Sequence, residues 1–289
     1  MTRIHPAGWS TRYVDLRTGA RLALDEWPSA GPRVVFLHAT GFSRGCWRPH
    51  ATRLAPSTTP TLVDLRGHGA SSKPPDPYRW SYFVEDLVGL MESEDWQDVV
   101  LCGHSVGGAT AIQVAARLPH RIRALVLLEP VVPAAPAQIQ QNRESGLVER
   151  TRRRRNSWTT RAEAAAYLRA RPPYDSWDPD LFDGWIETGI VAADAGVELA
   201  CPPSVEASVF AETRHSTARE DLGLVVAPTM VVRATGARGM PSTCEPSVAR
   251  RINLARELVV EGSGHFLPLE DVKLVVRVVA DALSGQLNT

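Results

Sequence analysis

The chain has 289 residues, 44% hydrophobic and 22% charged, with 32 basic residues against 32 acidic ones. This is the composition of a globular protein with one large core, or of one α/β domain carrying an insert. A net charge of zero excludes a global field that would draw nucleic acid or an anionic membrane to the surface.

Lys73 and Lys273 are the only lysines, so candidates for Schiff-base chemistry are few. The cysteines, Cys46, Cys102, Cys201 and Cys244, lie far apart with no C-x-x-C pair, which fits a reducing compartment better than a disulfide framework. Met1–Ser10 lacks the apolar run of a secretory signal. The most apolar stretch, Ala124–Val132, is too short to span a bilayer and contains Glu129 and Pro130. The expected location is cytoplasmic, with neither nucleic acid nor membrane as a partner. Oligomeric state leaves no mark on the sequence.

Tyr13–Leu16 and Arg21–Trp27 flank Thr18-Gly19 and read as a hairpin. Arg33–Leu37 and Thr61–Asp64 are short apolar strands. Val99–Cys102 and Ala124–Leu128 are continuous apolar runs, the pattern of parallel strands buried on both faces. Helical patterns lie between them, over Tyr82–Met91 and over Gly108–Leu118, which stops before Pro119. The alternation predicts a mostly parallel sheet with right-handed crossovers. Pro130, Pro133 and Pro136 break it. From Ala137 to Asp221 the chain reads as helical, with no convincing strand. Strands resume at Thr229–Val232 and Leu258–Val260, and an apolar helix, Leu269–Leu283, closes the chain. The expected organisation is a core of residues 1–132 and 223–289 with a helical lid, 133–222, over the carboxyl edge of the sheet, where open α/β sheets bind ligands.

Three motifs carry chemistry. Gly103-His104-Ser105-Val106-Gly107, between a strand and a helix, is the G-x-S-x-G pattern of a nucleophile elbow. The strained turn exposes the serine and needs small residues two places before and after it. His38-Ala39-Thr40-Gly41-Phe42 follows a strand and can offer a second N–H donor to an oxyanion. The expected hole is the backbone N–H of Thr40 and of Val106. His38 is expected to brace this turn and not to act in catalysis. Gly262-Ser263-Gly264-His265-Phe266 follows the last strand, so His265 can drop onto Ser105 as its base.

Together with Asp64-Leu65-Arg66-Gly67-His68-Gly69, which reads as structural, these motifs make nearly the whole chain resemble the α/β-hydrolase superfamily with a helical cap. The resemblance implies a mostly parallel eight-stranded sheet flanked by helices, and a Ser-acid-His triad. In much of that superfamily the acid follows the strand here at Thr229–Val232, but residues 233–240 hold no carboxylate. Glu129, at the tip of Ala124–Leu128, is the expected acid, and Glu245 the alternative. Trp158, Tyr167, Trp177, Phe182, Trp185 and Phe210 either line a substrate pocket or pack the lid on the core. Of these Trp158 and Trp185, with Phe42, Trp47, His104 and Phe266 beside the motifs, are the expected substrate-binding set. Arg150–Arg155 reads as a solvated helix face. No metal-binding or phosphate-loop motif stands out, so cofactor-free chemistry is expected.

The activity these residues imply is a serine hydrolase cleaving a carboxylic ester, lactone or related small acyl substrate. C–C bond or thioester hydrolysis, acyl transfer on the same triad, and a non-catalytic binding protein of the same fold remain open.

Overall fold

A computed structural model describes residues 3–4, 8–133, 146–236 and 241–288. The first half supplies strands β1 (Arg3–Ile4), β2 (Ser10–Asp15), β3 (Arg21–Glu26), β4 (Arg33–Leu37), β5 (Thr59–Val63), β6 (Val99–His104) and β7 (Ile122–Leu128). Its helices are α1 (Arg48–Leu54), α2 (Trp80–Ser93) and α3 (Val106–Arg117). The segment after β7 holds α4 (Leu147–Arg152), β8 (Ser157–Trp158), α5 (Arg161–Arg169), α6 (Pro179–Gly189), β9 (Ile190–Ala193), β10 (Gly196–Leu199), α7 (Pro203–Ala211) and α8 (Ala218–Asp221). The chain then returns to the sheet as β11 (Thr229–Ala234), α9 (Ser247–Arg250), β12 (Ala255–Val260) and α10 (Val272–Leu283).

The main sheet has the order β1-β2-β3-β5-β4-β6-β7-β11-β12. From β5 to β12 every neighbouring pair is parallel, and β3 joins β5 antiparallel. The expected eight strands are β2 to β7 with β11 and β12, and the two-residue β1 pairs with β2 at the edge. Alternation along the central strands sends side chains into two cores. Val35, Leu37, Leu101, Leu125 and Leu127 face one with α2 and α3. Val34, Phe36, Val100, Val126 and Leu128 face the other with α1 and α10. Both faces are therefore apolar, which is why β6 and β7 read as unbroken hydrophobic runs.

Two expected boundaries shift for local reasons. The last helix starts at Val272, because Leu267–Leu269 around Pro268 is a 3-10 turn and Asp271 caps the helix by accepting from the Leu274 N–H at 2.9 Å. The last strand begins at Ala255, three residues early, because an edge strand exposes Arg256 and Glu257 and loses the apolar signature.

The insert corrects one expectation outright. It is not purely helical: β8, β10 and β9 form a three-stranded antiparallel sheet. Strands of two to four residues are too short for alternation to register in a sequence. The start of the expected helical block, residues 137–145, lies outside the described residues, as do 237–240 of the loop after β11. The insert packs closely on the core where α6 crosses the 3-10 turn Arg44–Trp47. A Cβ on Gly184 would sit 2.5 Å from the Gly45 carbonyl oxygen, so this contact requires a glycine.

Candidate active site

Ser105 stands between β6 and α3 with φ 56° and ψ −118°. A non-glycine residue with positive φ is strained, and the strain persists only where the surroundings hold it. Here the Ser105 N–H donates to the Leu128 carbonyl (3.2 Å), and its own carbonyl accepts from Ala109 (3.1 Å) and Val131 (3.2 Å). The glycines of the motif are a steric demand. A Cβ on Gly103 would strike the Gly107 carbonyl oxygen, and one on Gly107 would strike that of Leu37. The Val106 N–H opens α3, where a helix leaves its first amides without an intrahelical acceptor.

The contact at Gly107 brings the loop after β4 beside the elbow. In that loop the Phe42 N–H donates to the Ala39 carbonyl (3.2 Å), closing a turn with Thr40 and Gly41 at its centre and Gly41 at φ 82°. Thr40 is thus held at the tip of a tight turn that follows the Leu37–His38 contact with Gly107. His38 is fully buried. Its Nδ1–H donates to the Ala39 carbonyl (2.8 Å), and its Nε2 accepts from the Leu65 N–H (3.1 Å), so it braces the turn as expected. Burial pushes its pKa down to about 4. Asp64 accepts from the Arg44 amide (2.7 Å) and the Ala70 amide (2.8 Å) and pairs with the Arg44 guanidinium. Arg44 also reaches the fully buried Asp25 (2.7 Å), so the Asp64–Gly69 stretch is structural, as read.

His265 hangs over Ser105, with 3.1 Å between Nε2 and the serine Oγ across 160 residues of chain. On its far side stands Glu129, 3.3 Å from Oε2 to Nδ1. Glu129 is fully buried at the end of β7, with φ 46°. Its Oε1 accepts from the Ala234 N–H (2.6 Å) and the Ser242 hydroxyl (2.7 Å), and its Oε2 from the Thr243 N–H (2.9 Å). Burial would raise this carboxyl. The bonds to His265, Ala234 and Ser242 outweigh it and hold the group below the usual carboxylate range. Glu245 is turned elsewhere, to Arg219 (3.2 Å) and the Ser247 hydroxyl (3.1 Å) at the start of α9.

The sequence reading missed Thr243, whose hydroxyl lies 2.7 Å from His265 Nδ1, nearer than the carboxylate. Hydroxyl residues in a loop carry no periodic signal, and only the fold brings this one to the imidazole.

The expected substrate-binding residues divide. Phe42 and Trp185 join Tyr174, Trp177 and Phe266 in one aromatic cluster, with Phe42 4.8 Å from Trp177, 5.8 Å from Phe266 and 6.1 Å from Trp185 between ring centroids. This cluster ties the insert to the loop after β4 beside the elbow. Trp47 does not belong to it: the residue is fully buried against Phe36 and His50 and packs the core. Trp158 is likewise a packing residue, against Tyr167 within the insert. His104 is buried behind the site, its Nε2–H donating to the His265 carbonyl (2.8 Å), so it holds the His265 backbone and does not line a pocket. The Arg150–Arg155 run is not wholly a solvated face either. Arg154 turns inward to Glu206 (2.8 Å) and the Tyr174 hydroxyl (2.9 Å). The Glu206 carboxylate in turn lies 2.6 Å from where a Gly41 Cβ would stand. Among the described residues no His, Cys, Asp and Glu cluster is arranged to hold a metal ion.

Known proteins share this arrangement of chain. The 2-(acetamidomethylene)succinate hydrolase of Mesorhizobium japonicum is 23% identical over 260 residues, 89% of each chain. A lipase of Mycobacterium tuberculosis is 26% identical over 259 residues, 89% of this chain and 95% of that one. A crystal structure of E-2-(acetamidomethylene)succinate hydrolase superposes with a TM-score of 0.82 at 22% identity, covering 96% of this chain and 99% of the other. The family model described as the alpha/beta hydrolase family matches residues 34–278. The chain belongs to the α/β-hydrolase family and is a hydrolytic enzyme.

Proposed function

We propose that the protein is a cofactor-independent serine hydrolase that cleaves a carboxylic ester, lactone or related acyl bond through an acyl-enzyme. The observation that carries this reading is the continuous path Ser105 Oγ, His265 Nε2, His265 Nδ1 and Glu129 Oε2, at 3.1 and 3.3 Å. Ser105 attacks the acyl carbon as His265 takes its proton. The oxyanion is met by the N–H groups of Thr40 and Val106, and His265 returns the proton to the leaving group. Water activated by the same imidazole then releases the acid. Glu129 keeps the proton of the neutral ring on Nδ1 and stabilises the imidazolium. The substrate is a small acyl compound, for which Phe42 and Phe266 supply apolar contact, while Trp185, fully buried among Tyr174, Trp177 and Phe182, packs behind them. That relatives include a lipase and a hydrolase of a succinate derivative supports acyl-bond chemistry. No helix among the described residues is long and apolar enough to cross a membrane, and the location proposed is the cytoplasm.

Two measurements test the reading. A fluorophosphonate probe should label the protein at Ser105, and short-chain p-nitrophenyl esters should release p-nitrophenol. Ser105→Ala should keep its fold and lose labelling, with kcat down by about three decades or more. Undiminished turnover in the purified Ser105→Ala protein would overturn the mechanism.

A further inference from the structure

We propose that the Thr243 hydroxyl is a positioning residue that grips His265 at Nδ1 and holds the ring off the Glu129 carboxylate. The inference rests on the reading of His265 as the base. Its origin is the order of the two contacts, 2.7 Å to Thr243 Oγ1 and 3.3 Å to Glu129 Oε2. In a Ser-His-acid site the acid is the partner expected at hydrogen-bond distance, since an ionised acceptor makes the shorter bond. Here a neutral hydroxyl holds the shorter one.

The surroundings explain why the carboxylate does not close the gap. Glu129 is fully buried and receives three donors: the Ala234 amide, the Ser242 hydroxyl and the Thr243 amide. Thr243 therefore acts on both partners at once. Its backbone N–H holds Glu129 Oε2 at 2.9 Å, while its side chain holds the imidazole. Branching at Cβ leaves few rotamers, so a fixed backbone fixes the hydroxyl.

The two groups do different work because their chemistry differs. A carboxylate only accepts, so Glu129 selects the tautomer with the proton on Nδ1. A hydroxyl both accepts and donates, so Thr243 cannot select a tautomer and can only place the ring. The titratable groups facing the imidazole are Glu129 from the end of β7 and His104 from the end of β6, and burial keeps His104 uncharged. With the Thr243 hydroxyl removed, the ring is free to move onto the fixed Glu129 carboxylate, its remaining acceptor at Nδ1, and the shorter contact favours the imidazolium.

Thr243→Val tests this, since it deletes the hydroxyl at nearly constant shape and leaves the backbone N–H on Glu129. Thr243→Ser is its control. In Thr243→Val the pH of half-maximal kcat/KM on p-nitrophenyl acetate should rise by about one unit, and kcat should fall about tenfold at high pH as the ring loses its placement. Thr243→Ser should stay within about twofold of the parent. Nitrogen-15 NMR of the His265 ring should show the same upward shift of its titration midpoint in Thr243→Val. That measurement needs no turnover, so it separates failure of this proposal from failure of the hydrolase reading. Thermal unfolding at neutral pH confirms that each variant is folded. An unchanged or lowered midpoint in a folded Thr243→Val protein, by NMR or by rate, overturns the proposal, as does a Thr243→Ser protein that behaves like the valine variant.

Discussion

Mild acid should destabilise this protein, because the fold buries four uncharged imidazoles. His38, His50, His68 and His104 are each at most 1% exposed. Burial pushes the first three down to about 4, about 3 and about 3, and takes His104 well below the ordinary imidazole value. For His38 the reason is visible in its bonds. Nε2 accepts the Leu65 N–H, so a second ring proton would meet a donor where it needs an acceptor. The sign follows from linkage. Folded-state values below the unfolded value of about 6.5 mean that the unfolded chain binds the protons. Stability is complete above that value and is lost as pH falls below it. Between pH 7.5 and 5.5 each such histidine costs about 1.4 kcal/mol, and the four together about 5 kcal/mol, a large part of a typical folding free energy. Urea unfolding at pH 7.5, 6.5 and 5.5 measures the slope, which should approach about 5 kcal/mol per pH unit at the acid end, the value for about four protons taken up on unfolding. Tm should fall by about 10 °C or more over the same range. A stability change under about 1.4 kcal/mol, less than one histidine's worth, would refute the argument that these rings stay neutral in the folded state.

Glu129→Gln should lower kcat by about three decades as control of the His265 tautomer is lost, while Glu245→Gln, whose carboxylate meets Arg219, should change it less than about tenfold. Steady-state kinetics on p-nitrophenyl acetate decide, and the reverse ranking would exclude Glu129 as the acid. Gly107→Ala forces a methyl into the Leu37 carbonyl, and soluble folded yield by circular dichroism should collapse; a normally folded alanine variant would contradict the steric reading of the elbow. Arg44→Met leaves the buried Asp64 carboxylate without its cation, while Arg48 still pairs with Asp25 (2.7 Å), and should cost about 3 kcal/mol in urea unfolding. A loss under about 1 kcal/mol would mean the network carries little of the loop's stability.

What the sequence determined by itself is what short-range chemistry dictates. A serine on a strained strand-to-helix turn needs its glycines at fixed offsets, so Gly103–Gly107 is legible in five consecutive letters. Strands buried on both faces must be apolar throughout, so β6 and β7 stand out, and Glu129 is marked by its place at the tip of one of them. The absence of a carboxylate from residues 233–240 turned the choice of acid toward Glu129 in advance. Only the tertiary structure decided which groups surround His265. Glu129 and Thr243 come to it across 136 and 22 residues of chain, through the pairing of β7 with β11 and the fold of the loop beyond. It also decided which aromatics meet. Trp47 and Trp185 are equally apolar in sequence, yet one faces Phe36 in the core and the other Phe42 beside the elbow. Arg154 leaves a run of like residues to pair with Glu206, 52 positions away. Such contacts depend on crossings between distant elements, and a one-dimensional pattern records the period of each element but not which neighbour it will meet.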